Sequence, residues 1–94
     1  SPDRKAAAKE LIALAIQRGV PLSSGGQAEA CAAIYEVTAT SLVKLAGDKL
    51  PAAAVARLEA SLRRASQTTD GADRARVLRK ALDETATSLQ GAPD

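Results

Sequence analysis

Histidine, phenylalanine, tryptophan and methionine are absent from these 94 residues, and cysteine and tyrosine occur once each, as Cys31 and Tyr35. Each gap removes a class of chemistry. Without histidine, a cysteine nucleophile lacks its usual base, and a zinc site loses much of its donor set. Haem and copper centres lose their common ligands with the missing His, Met and second Cys. A single cysteine forms no internal disulfide, and a lone thiol fits either a reducing compartment or a buried place in an exported protein. No metal and no cofactor are expected.

Long apolar runs are missing too. Lys, Arg, Glu or Asp interrupts every segment before the ~18–20 residues that a bilayer span requires. Charge of one sign is not in excess either: 13 Lys and Arg against 11 Asp and Glu leave a formal +2, too near balance to announce a nucleic-acid partner. The chain opens SPDRK without methionine, which reads as a fragment of something longer or the remainder after a leader is removed.

What fills the chain instead is alanine, at 22 of the 94 positions. With rings so scarce, Leu, Ile, Val and Ala must build the interior by drawing helices close together. A buried Leu or Ile contributes roughly 1.5–3 kcal/mol and Ala much less, while ordering entropy cancels most of the sum. One marginal domain over residues 1–94 is expected, or one stabilised by association.

Periodicity predicts four helices, at about 2–19, 25–46, 51–67 and 71–90, and no strand. Ser1 is the expected cap of the first, with Pro2 at its first position and Asp3 in its first turn. Its inward face is Ala8, Leu11, Ile12, Ala15 and Ile16. Gly19 and Pro21 are expected to end or sharply kink it. Ser24-Gly25-Gly26-Gln27 matches a capping box for the second helix, whose stripe is Cys31, Ile34, Tyr35, Thr38, Leu42 and Leu45, with Gly47 as a left-handed stop. Pro51 opens the third helix, which carries Val55, Leu58, Leu62 and Ala65. Asp70 caps the fourth, which turns Ala75, Leu78, Leu82, Thr85 and Leu89 inward and stops at Gly91 before Pro93. Short connections then imply an all-α, antiparallel up-and-down four-helix bundle. Its expected core is Leu11, Ile12, Cys31, Ile34, Tyr35, Leu42, Leu58, Leu62, Leu78 and Leu82.

Gly19, Leu22, Gly26, Cys31, Tyr35 and Thr38, within residues 15–43, follow the spacing of glycine, large residue, glycine, alanine, aromatic and alanine in a tetratricopeptide repeat. The stretch resembles a single tetratricopeptide-like helical hairpin. Pro21 departs from that pattern, and no second copy follows in residues 48–94, so a standard solenoid array is not implied. RGVPLSSGG followed by CAAIYE also resembles a small uncharacterised helical domain of exported bacterial proteins, which implies a bacterial source and an extracytoplasmic or periplasmic location.

Candidate chemistry is sparse. Cys31 reads as a small buried hydrophobe one turn before Tyr35, and Tyr35 as the central packing element of its stripe. Gly25-Gly26 lacks the lysine, the following Ser/Thr and the preceding strand of a phosphate loop. Charge is more suggestive: Arg63, Arg64, Arg74, Arg76, Arg79 and Lys80 gather against only Asp70 and Asp73 between residues 63 and 80. In a helical hairpin these six form one basic end, a candidate anion-binding site. The competing reading is a solvated face with Arg79–Asp83 and Lys80–Glu84 pairs. With no nucleophile–base pair, a non-catalytic protein-interaction or structural module is expected, with another protein or a second copy as partner. Alanines such as Ala52, Ala53, Ala54 and Ala56 would let a partner helix approach closely. The alternatives are binding of an anionic surface or nucleic acid through Arg63–Lys80, and carriage of a small apolar ligand.

Overall fold

Apolar residues three and four apart build four α-helices, α1 Pro2–Ser24, α2 Ala28–Ala46, α3 Ala52–Ser66 and α4 Gly71–Gln90, with a short 3₁₀ turn at Gly47–Lys49. The computed structural model describes residues 2–90, with side chains from Arg4 onward. The expected cap at Ser1 and stop at Gly91 and Pro93 lie outside the described residues. Among those residues there is no strand, and no helix is long and apolar enough to cross a membrane.

The helices form the bundle that the periodicity implies, 39 × 24 × 20 Å in extent. α2 and α4 make the central pair, α1 packs mainly on α2, and α3 mainly on α4. Four pairs of residues report the directions. Gly19 meets Tyr35 near the α1–α2 corner while Arg4 Nη1 donates to the Leu45 carbonyl at 3.4 Å at the far end, so α1 and α2 are antiparallel. Arg57 and Glu84, 3.9 Å apart, set α3 against α4 in the same sense. Glu29 and Arg74, both at helix starts, pair across α2 and α4, which therefore run parallel.

The first corner differs from expectation. α1 does not stop at Gly19 but runs through Pro21 to Ser24. Proline's fixed φ suits a helix; its cost is the bond that the Gln17 carbonyl would receive, and Gln17 and Pro21 are both exposed to water. Past the proline the ladder resumes, with Gly25 N–H donating to the Pro21 carbonyl at 2.9 Å. The capping box does not form, because Ser24 ends α1 and Gln27 caps α2 without a side-chain bond. The two glycines serve the preceding helix instead. Gly26 N–H donates to the Ser23 carbonyl at 3.2 Å and Gln27 N–H to the Leu22 carbonyl at 2.7 Å, with Gly26 at φ +82°: a Schellman ending.

Gly47 is a second correction. Its φ of −57° is right-handed, and it opens the 3₁₀ turn rather than supplying a left-handed stop. The other boundaries behave as their chemistry suggests. The Pro51 carbonyl accepts from Ala54 and Val55 at the start of α3, and Asp70 Oδ2 accepts from Asp73 N–H at 3.0 Å at the start of α4.

Ile12, Cys31, Tyr35, Leu42, Leu58, Leu78 and Leu82 are buried, with Ile34 and Leu62 partly buried against them. Leu11 is not a core residue: it is 38% exposed. α1 turns Ala8, Ile12, Ala15 and Gly19 inward, and Leu11 lies one residue, about 100°, off that line. Leu45 is 74% exposed, and Leu50 from the connection joins the core in its stead. Ala54 is fully buried, so the exposed alanine surface of α3 is Ala52, Ala53 and Ala56. Buried hydroxyls are satisfied within their own helices: Thr38 donates to the Ile34 carbonyl, Ser61 to Leu58 and Thr85 to Ala81, each at 2.8 Å.

Candidate interaction surface

α3 ends on Arg63 and Arg64, where cations complement the helix dipole, and α4 carries the other four basic residues in its first half. The fold spends them differently. Arg74 is a structural clamp. Its Nη1 donates to the Thr68 carbonyl at 3.2 Å and the Thr69 carbonyl at 2.8 Å, while Nη2 bonds the Glu29 carboxylate, tying the α3–α4 connection to the start of α2. Arg76 bonds Asp73 one turn back. Arg79 Nε lies 3.5 Å from Asp83 Oδ2, the pair its spacing suggests. Glu84, however, pairs with Arg57 across α3 and α4 rather than with Lys80. Among the described residues, Arg63, Arg64 and Lys80 have no ion-pair partner.

The six also face different ways. Arg64, Arg76 and Lys80 line one groove of about 570 Å³ between α3 and α4, together with Arg57. Arg63 borders a separate depression of about 260 Å³ with Lys44 and Glu59. Arg79, with Arg76, rims a third of about 240 Å³ over Cys31 and Tyr35. The surface brought together is therefore a groove along two helices.

That groove has cationic walls and a small floor. Ser61 of α3 and Ala81 of α4, both buried, form its base with the half-buried Val77, Ala60 lies exposed beside them, and Glu84, paired to Arg57, is the lone carboxylate of the lining. Arg57 is not among the six cations expected at the basic end; the signal that could have found it is the seven-residue step to Arg64, two turns along one helix face.

Cys31 and Tyr35 border the third depression yet stay 1% and 2% exposed. The Tyr35 phenol is pushed up to about 12, chiefly by burial and next by its hydrogen bond with the Cys31 thiol, while Arg79 pulls the other way. It remains a protonated donor throughout the neutral range. No known protein-family model, curated protein or solved structure matches this chain significantly.

Proposed function

We propose that this chain is a non-catalytic helical interaction module that binds an anionic segment of another protein in the α3–α4 groove. The observation that carries this reading is the pair of cations without an ion-pair partner among the described residues, Arg64 on α3 and Lys80 on α4, on the walls of one recess with a small-residue floor. Such walls attract carboxylates and fix their orientation. Isothermal titration against an acidic peptide at low and high salt tests it. Binding that weakens with salt and is lost in Arg64→Glu/Lys80→Glu supports the reading, and binding indifferent to that double substitution removes it.

A second reading, self-association, is favoured by a different surface. Leu11, Leu14, Val37 and Leu45 remain exposed on the α1–α2 hairpin, and covering them with a second copy would remove apolar surface from water. Light scattering across a concentration series decides: a strict monomer at every concentration eliminates it.

A further inference from the structure

Resting on the groove reading above, we propose that the occupant is an amphipathic helix bearing a small aliphatic stripe flanked on both sides by Asp and Glu. The cations are spaced for a helix. Arg57 and Arg64 lie seven residues apart on α3, about 10 Å, and Arg76 and Lys80 four apart on α4, about 6 Å. The Arg57–Glu84 pair sets the antiparallel register, which places Arg64 opposite Arg76 and Val77, and Lys80 opposite Ser61. A third helix with its aliphatic stripe on the floor matches both walls when carboxylates seven apart on one side of the stripe face Arg57 and Arg64, and carboxylates four apart on the other side face Arg76 and Lys80.

The floor selects the same shape. Ala60 and Ala81 have little side chain to hold a partner away, so a helix axis comes to about 8–10 Å. Ser61 asks for nothing, since its hydroxyl already donates to the Leu58 carbonyl at 2.8 Å. An extended peptide is disfavoured because both walls are helices with their backbone groups already bonded, leaving no sheet edge to pair with it. A helix brings its own backbone bonds. Nucleic acid is disfavoured because single-strand recognition relies on stacking, and the chain's one aromatic, Tyr35, is buried. For a lipid surface the large aliphatics would flank the cations, whereas Leu14, Val37 and Leu45 lie on the other hairpin.

The test uses a labelled helical peptide of about 20 residues with an Ala/Leu stripe and Glu flanks, against a proline-broken isomer of the same composition. Duplex DNA and anionic vesicles complete the panel. Anisotropy at low salt is recorded for the native chain and for Arg64→Glu/Lys80→Glu, whose residues are exposed; circular dichroism checks that its helices are intact. The helical peptide is expected to bind at least about tenfold more tightly than the broken one, with charge reversal weakening it by at least about tenfold. Equal binding of both peptides, still lost on charge reversal, overturns the helix inference and leaves the groove reading standing. Tighter binding of DNA or vesicles through the same two residues also overturns it. If neither peptide binds, or charge reversal changes nothing, the groove reading falls with it.

Discussion

Gly19 of α1 is packed directly against the ring of Tyr35 of α2: a Cβ at residue 19 would come within 2.6 Å of Tyr35 Cε1 and 2.8 Å of the phenol oxygen. The single ring of this alanine-rich interior is accommodated because the facing helix has no side chain there. In an exposed helix, glycine to alanine gains about 1 kcal/mol. Here the ring is buried, and overpacking costs about 1–3 kcal/mol. Gly19→Ala is therefore expected to destabilise the chain by about 1–2 kcal/mol in urea unfolding. Placing Tyr35→Leu beside it should remove most of that penalty in a double-mutant cycle; an additive result contradicts the packing argument.

Gly71 offers a controlled contrast. A Cβ there would meet Glu29 Oε1 at 2.5 Å, an overlap as close as that at Gly19. But Glu29 is a flexible side chain, 75% exposed, that can swing away with loss of its Arg74 pair. Gly71→Ala is expected to change stability by no more than about 0.5 kcal/mol. A loss as large as that of Gly19→Ala would mean that the Glu29–Arg74 link holds the corner more firmly than an exposed pair should.

Helix ends separate three more substitutions. Asp70→Ala removes the oxygen that accepts from Asp73 N–H and should cost about 1 kcal/mol. Ser24→Ala, at a position whose capping box does not form, should cost less than about 0.5 kcal/mol. Gly26→Ala forces a side chain to φ +82° and should cost about 1–2 kcal/mol. Thermal unfolding of the three variants ranks them.

Tyr35 makes stability depend on alkali. Its folded value of about 12 lies above the ordinary 10.0, so the unfolded chain loses that proton first. The stabilisation is complete below pH 10, falls as pH rises towards 12, and is spent above it, for a total of about 2–3 kcal/mol. Phenolate absorbance should show a midpoint near 12 in the folded chain and near 10 in denaturant. The slope belonging to Tyr35 is the difference from Tyr35→Phe.

Much of this fold is legible in the sequence because its punctuation is local. Asp70 caps α4 and Pro51 precedes α3 by interactions within four residues, and the buried Ile12, Leu58 and Leu78 lie on visible stripes. The misses depend on neighbours. Whether Pro21 ends α1 turns on whether the Gln17 carbonyl sees water, and whether Leu11 or Ile12 leads the core turns on how α1 is rotated against α2. At the candidate surface, the cations can be counted from the sequence. Which of them share a groove cannot, because the Arg57–Glu84 register is set by packing between α3 and α4.

The most direct measurement is amide chemical-shift mapping of the chain titrated with the Glu-flanked helical peptide. Shifts concentrated at Ser61, Arg64, Val77, Lys80 and Ala81, with the outer residues of α1 and α2 unmoved, are the expected result. Shifts confined to Leu11, Leu14, Val37 and Leu45, or none at saturating peptide, would contradict recognition through the α3–α4 groove.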